Sequence, residues 1–218
     1  GRPKYRTSAS MRSELTELAE EWNIKNEPIM LATPSFGEVP AESKRIAKVM
    51  KDFDLPWLTS LRWSNITKEL LDYYLSCGCF EIHIGLESGT DKILKYIKKS
   101  CNKKMIKEKT QLLNSVGVKW RLCTIIGFPI ETAEEMEETV RFAEELGPYY
   151  FSLNSLSPLP GTPVYKNIPE MTPESASTVN QLHPNYCFSK HMDLESYREL
   201  FYKLSERVDK YNKAKMQC

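Results

Sequence analysis

Phe80-Glu81-Ile82-His83-Ile84-Gly85-Leu86, running into Glu87-Ser88-Gly89, decides the fold. Its apolar residues fall at 80, 82, 84 and 86, the period of two that sends successive side chains to opposite faces of a strand. Upstream, Thr67 to Leu75 reads as a helix carrying Leu70, Leu71 and Tyr74, and Trp57-Leu-Thr-Ser-Leu61 as a strand. Before that, Ile46, Val49, Met50 and Phe53 make a helical stripe, and Pro28-Ile-Met-Leu-Ala32 a short buried strand. A first helix covers Ser10 to Trp22, with Met11, Leu15, Leu18, Ala19 and Trp22 on one face. Downstream come helices at 91–98 and 104–116, the second closed by Gly117, and a strand from Lys119 to Ile126. Thr132-Ala-Glu-Glu135 is a capping box opening a helix that stops at Gly147-Pro148, and Tyr150 to Leu156 is a fifth strand.

Strand starts recur at intervals of roughly 23 to 40 residues, the size of strand–helix–strand units with crossover helices. The fold class expected is α/β with a parallel sheet, closed as a barrel or doubly wound. The first helix has no strand before it, which suggests a first strand and loop upstream of Gly1. After Pro163 the texture changes: residues 166–190 are polar, with Pro169, Pro173 and Pro184, and show no clear period. Thr172-Pro173-Glu174 looks like a helix start, and Asp193 can cap a last helix to about Lys213 bearing Leu194, Tyr197, Leu200, Phe201 and Leu204. Residues 1–165 are thus expected to form the strand–helix core, and 166–218 a helical C-terminal extension packed on it.

The 218 residues suffice for one sizeable core, and 41% hydrophobic with 27% charged is an ordinary globular balance. A formal net charge of +1 offers no electrostatic reason to invoke nucleic acid or an anionic membrane. Lys98-Lys99 and Lys103-Lys104 read as solvated helix faces. No apolar run approaches the roughly 20 residues of a membrane-spanning helix, and Gly1-Arg-Pro-Lys-Tyr-Arg6 is no signal peptide. Cys77, Cys79, Cys101, Cys123, Cys187 and Cys218 form neither a disulfide framework nor paired zinc knuckles, which fits a reducing cytosol. Cys77-Gly-Cys79 lacks the further ligands a metal site needs, and Cys79 reads as a small apolar residue entering a buried strand.

Ligands of parallel α/β folds bind at the carboxyl ends of the strands. Those ends here are Thr33-Pro34-Ser35, Arg62-Trp63-Ser64, Glu87-Ser88-Gly89, Gly127-Phe-Pro-Ile-Glu131 and Ser155-Leu-Ser-Pro-Leu-Pro-Gly161. Such loops are also polar merely because water wets them. Trp63, Tyr149 and Tyr150 can stack on a substrate, but core or rim burial is the simpler reading. His83, inside a strand, reads as a hydrogen-bonded structural histidine.

Four ordered blocks over about residues 6–165 resemble the radical S-adenosylmethionine (radical SAM) superfamily. They are Arg62…Ile66-Thr-Lys-Glu-Leu-Leu71…Gly78-Cys79, His83-Ile-Gly-Leu-Glu-Ser-Gly89 with Asp91 and Leu94, Ile125-Ile-Gly-Phe-Pro-Ile-Glu-Thr132, and Pro158-Leu-Pro-Gly-Thr-Pro-x-Tyr165. The flavour is closest to the branch that often carries a cobalamin-binding domain. The resemblance implies a partial (β/α)6 TIM-like barrel lacking its first strand, and a site for SAM. Glu87 and Ser88 match the place where the family meets the ribose and methionine parts of SAM, although Glu87 could instead cap the helix near Thr90. Ile125 would lie against adenine, Gly127 would allow close backbone approach, and Glu131 would close the loop. Cys123 stands where the family has the first glycine of that segment. Ser157 and Leu159 match backbone that recognises the adenine edge. Arg121 could pair with the SAM carboxylate or form an exposed salt bridge, and Arg62 has the same status. Thr33 occupies the place where the family grips the methionine amino group, usually with other residue types.

The family's C-x-x-x-C-x-x-C, which holds a [4Fe–4S] cluster, occurs nowhere in the sequence. Cys77, Cys79 and Cys101 have the wrong spacing and lie on a different unit. Arg6-Thr-Ser8 matches the stretch just past the cluster loop, so the expectation is a chain that begins after it and is inactive alone. The resemblance implies a parent enzyme that cleaves SAM reductively to a 5′-deoxyadenosyl radical, with cobalamin as a candidate methyl carrier. It also implies a small-molecule or peptide substrate and an electron donor such as flavodoxin or ferredoxin. The alternatives are a degenerate scaffold that binds SAM or another nucleotide without radical chemistry, and a methylthiotransferase-like enzyme acting on RNA.

Overall fold

The computed structural model describes residues 5–22, 24, 27–168 and 171–217, and for 34 and 35 the backbone alone. Gly1, Pro169 and Cys218 lie outside the described residues. Two compact units organise the chain: Gly1–Ile84 with Glu108–Trp120, and Gly85–Lys107 with Arg121–Cys218.

In chain order the first unit opens with α1 (Ser8–Glu21), β1 (Ile29–Phe36), α2 (Pro40–Asp52), β2 (Trp57–Leu61) and α3 (Lys68–Ser76). Then comes β3 (Cys79–Glu87), whose last three residues belong to the second unit. Here β1, β2 and β3 pair in that order, all parallel. Thr7 and Thr67 cap α1 and α3, their hydroxyls accepting from Ser10 N and Leu70 N. Phe36, Trp57 and Tyr74 form an aromatic cluster in this core, their ring centroids 5.3 to 5.6 Å apart. The indole N–H of Trp57 donates to Cys77 O at 2.7 Å, and Tyr74 OH to Ser43 Oγ at 2.7 Å, so burial costs neither ring a hydrogen bond.

The second unit continues through α4 (Asp91–Tyr96), α5 (Lys103–Val116), β4 (Lys119–Ile126), α6 (Ala133–Leu146) and β5 (Tyr150–Ser155). Of these, α5 and β4 each extend into the first unit. Short helices α7 (Pro163–Lys166) and α8 (Pro173–Ser177) precede the long α9 (Leu194–Met216). Strand β5 lies parallel to β4, with Arg121 opposite Tyr150 and Ile126 opposite Ser155. The capping box of α6 forms as expected, and Gly147 ends the helix at φ +76°. Asp193 caps α9 by accepting from Ser196 N at 2.8 Å. Buried Tyr197, Phe201, Leu204, Val208 and Asn212 give α9 its inward stripe. The Asn212 amide takes the N–H of Phe151 at 3.1 Å and donates to its carbonyl at 2.9 Å, mimicking a paired strand along β5.

The α/β class and the parallel strands agree with the sequence reading, and five details differ. Strand β1 runs through Thr33-Pro34-Ser35 instead of ending at Ala32, with its register shifting between Leu31 and Phe36. Pro34 has no N–H to give the ladder, so the strand continues only as an irregularity. Phe80 is exposed because the β2–β3 register skips it, from Trp57↔Cys79 to Leu58↔Glu81. Trp22 follows the end of α1 as its C-cap and is 69% exposed, off the buried face. Leu194 and Leu200 are half-buried, and α7 went unpredicted.

Cys77 and Cys79 are buried, and burial pushes the Cys79 thiol up to about 12. Cys123 is exposed. Desolvation raises the Cys123 thiol as well, but its side chain reaches solvent and a reagent must reach a sulfur before it can react. Native protein at pH 8 should therefore be labelled at Cys123 before Cys77 or Cys79, which should wait for denaturant. Peptide mapping of the labelled protein checks the order; early label at Cys79 would contradict its burial.

Candidate functional site

Along each strand of the second unit buried residues alternate with half-buried or exposed ones, which make up its more open face. Leu122, Thr124 and Ile126 of β4 are buried, while Arg121, Cys123 and Ile125 alternate onto the open face. In β5, Tyr150, Ser152 and Asn154 do the same. Cys123 pairs with Ser152 in regular register, so the residue standing in place of a glycine leaves the backbone path undisturbed.

The open face carries a carboxylate at the end of β3. Glu87 adopts φ +64°, a left-handed conformation uncommon for a non-glycine residue, where β3 gives way to the loop before α4. Its Oε1 accepts from Lys99 Nζ at 2.7 Å, and both side chains are half-buried. A side chain at Gly85 would run into this pair. Glu87 does not cap α4; Thr90 does, its hydroxyl accepting from Ile93 N. Ser88 is fully buried, with its hydroxyl 3.2 Å from Thr139 Oγ1 on α6 and accepting from Thr90 N. That hydroxyl serves the loop's own packing, and the structural partner Thr139 carried no sequence signal.

The loop after β4 is closed by its own glutamate. Glu131 is fully buried; Oε2 accepts from Gly127 N at 2.7 Å and Phe128 N at 3.1 Å, while Oε1 has no hydrogen-bond partner among the described residues. Burial pushes its carboxyl up to about 8, against the lowering effect of the two amides. Gly127 sits at φ +95°, and a Cβ there would lie 2.5 Å from Tyr197 Oη, so the bare side of this glycine is filled by the C-terminal helix. Ile125 packs on a small apolar cluster of Ile93, Phe128 and Leu156.

Arg121 lies over the rings of Tyr150 and Tyr149, its guanidinium carbon 5.2 and 5.9 Å from their centroids. Ser157 is half-buried, and Leu159 is exposed with its carbonyl accepting from both Thr162 N and Thr162 Oγ1. The first unit holds Thr33 and Arg62, which line a cavity of about 590 Å³ with Glu38 and the apolar Met11, Leu15, Ile46 and Met50. Trp63 is buried, and His83 shares a 2.6 Å hydrogen bond with Glu81, as a structural histidine should. Among the described residues no three of His, Cys, Asp and Glu gather in a way that could hold a metal. Among them, too, no helix is long and apolar enough to cross a membrane. Besides Thr139, sequence reasoning did not find the partners of Lys99, Ser155 and Tyr197: Lys99, read as part of a solvated helix face, lies beyond the end of α4 and pairs with Glu87, and Ser155, read as a strand end, meets the Tyr197 hydroxyl.

Comparison with known proteins bears on this arrangement. An uncharacterized methyltransferase of Pyrococcus horikoshii is 27% identical over 153 residues, covering 70% of this chain and 33% of that protein. The tRNA-2-methylthio-N(6)-dimethylallyladenosine synthase of Protochlamydia amoebophila is 34% identical over 113 residues, 49% of this chain and 25% of that one. The chain therefore spans a third or less of the length of these curated relatives. Among solved structures, the radical S-adenosylmethionine methyltransferase TsrM of Kitasatospora setae, with cobalamin and a [4Fe–4S] cluster bound, shares the fold at a TM-score of 0.63 and 20% identity. That match covers 76% of this chain and 32% of TsrM. The family model described as the Radical SAM superfamily matches residues 1–143, most of the strands and loops just described. This chain belongs to the radical SAM superfamily.

Proposed function

We propose that this chain forms the SAM-cradling part of a radical SAM methyltransferase, with 1–165 as the barrel portion and 166–218 as its extension. The observation that carries the reading is Glu87, a carboxylate held by Lys99 on the open face at the end of β3, in the same unit as the self-closed loop 127–131. Lys99 uses one oxygen of the carboxylate, and a carboxylate has acceptor capacity beyond it for ribose hydroxyls. Ile125 and the apolar cluster beside it suit an adenine ring. Arg121, resting on Tyr150, is our candidate for the SAM carboxylate, with Ser157 and Leu159 toward the adenine edge.

The described residues do not fit a [4Fe–4S] cluster, so no step through one is derived from them. The methyl-transfer part of the reading draws on the Pyrococcus relative and TsrM, and from TsrM we extend it to cobalamin as methyl carrier. It carries with it a small-molecule or peptide substrate, an electron donor such as flavodoxin or ferredoxin, and a cytosolic setting. A second reading, methylthiolation of RNA, draws on the Protochlamydia relative. It requires tRNA binding that weakens steeply with salt, and the net charge of +1 favours methyl transfer over it.

Isothermal titration of the chain with SAM tests the reading. We expect saturable 1:1 binding, weakened by about tenfold in Glu87→Gln, the loss of one hydrogen bond to a charged group. No heat from the wild-type chain at millimolar SAM would sink it.

A further inference from the structure

We propose that Tyr197, on the C-terminal helix α9, is a positioning residue for the loop 127–131, so that the extension itself sets the geometry of that loop. The part of this that concerns SAM rests on the reading above, in which the loop faces the ligand.

The loop is gripped from two sides. From within, Glu131 takes the N–H groups of Gly127 and Phe128. From without, the extension takes the carbonyls: Tyr197 Oη donates to Ile126 O at 3.1 Å, Lys190 N to Pro129 O at 3.1 Å, and Ser189 Oγ to Glu131 O at 2.7 Å. Tyr197 Oη also lies 2.8 Å from Ser155 Oγ at the end of β5, joining the carboxyl ends of β4 and β5 through one hydroxyl. Its ring is 1% exposed and fills the space that a side chain at Gly127 would need. Burial raises the phenol well above its ordinary value, so the hydroxyl stays protonated as a donor.

A residue that merely docks α9 would look different, and the same helix supplies one. Tyr211 Oη donates to Pro148 O at 2.8 Å, at the far end of α9 before β5 begins. Tyr211→Phe is therefore a matched loss of one hydroxyl on one helix, remote from the loop.

Three chains of residues 1–218 decide the matter: wild type, Tyr197→Phe and Tyr211→Phe, compared by SAM titration and by amide hydrogen exchange at Gly127 and Phe128. In Tyr197→Phe we expect SAM affinity to fall about three- to tenfold and the two amides to exchange about tenfold faster, the scale of one lost hydrogen bond. In Tyr211→Phe both should stay within about twofold of wild type. Equal SAM affinity and equal exchange in Tyr197→Phe and wild type would overturn the positioning role and leave the SAM reading standing. If the wild-type chain binds no SAM, the SAM reading falls, and exchange alone decides: acceleration confined to Tyr197→Phe upholds the grip on the loop, and its absence removes it. Should Tyr197→Phe fail to fold, Ser155→Ala, which deletes only the partner hydroxyl, takes its place with the same expected pattern.

Discussion

Gly89→Ala lowers the melting temperature by roughly 2 to 12 °C, the largest effect we expect from removing no chemical group at all. A Cβ at residue 89 would lie 2.7 Å from Thr139 Cα and 2.8 Å from Glu138 O, both backbone atoms of α6. Backbone cannot step aside as a side-chain tip can, so either α6 moves or the loop after β3 does. Gly89 N donates to Thr139 Oγ1 at 3.0 Å and Ser88 Oγ lies 3.2 Å from it, so any shift breaks hydrogen bonds that no water can replace. Overpacking of this kind costs about 1–3 kcal/mol, and each kcal/mol moves the midpoint of a chain this size by about 2–4 °C. Gly117→Ala is the natural control. It meets no atom within 4 Å and suffers only its φ of +71°, a conformational cost of about 1 kcal/mol. If thermal melts show the two variants equally affected, α6 does not approach Gly89 as closely as described.

Stability should also fall as pH rises from about 4.5 to 8, and Glu131→Gln should abolish that component. The folded carboxyl is raised from 4.5 to about 8, chiefly because burial penalises the charge. A raised carboxyl means that the folded state holds the proton more tightly than the unfolded one. Its contribution is therefore fully present below about 4.5 and is lost as pH rises through about 8. Within that window the slope approaches ~1.4 kcal/mol per pH unit. Glutamine keeps an oxygen for the N–H groups of Gly127 and Phe128 and carries no charge into the site. Denaturant melts at pH 5, 7 and 9 should show variant and wild type diverging with pH, the variant being the more stable at pH 9. Parallel curves would mean that another group titrates.

The elements themselves were legible. The alternation of Ile82, Ile84 and Leu86, the Thr132–Glu135 capping box, Gly147 as a stop and Asp193 as a cap are local signals, and each acts through atoms a few residues away. Where the reading went astray, a neighbouring strand had intervened. Phe80 is outward because β2 skips it in register, and β1 outlasts Pro34 because β2 still offers it a partner at Leu61.

The candidate site divides along the same line. From sequence alone came the family, the residues at the strand ends, and the carboxylates at 87 and 131, because these sit in contiguous motifs whose spacing the fold preserves. Only the tertiary structure decided what each of them touches. It put Lys99 on Glu87, drew the Ser88 hydroxyl away to Thr139, and set Tyr197, separated from Gly127 by 70 residues, into the space that glycine leaves. Motif spacing records which backbone must pass a point, whereas a side chain's partner depends on which distant segment packs there, and the α9 stripe is a generic apolar pattern until it is docked.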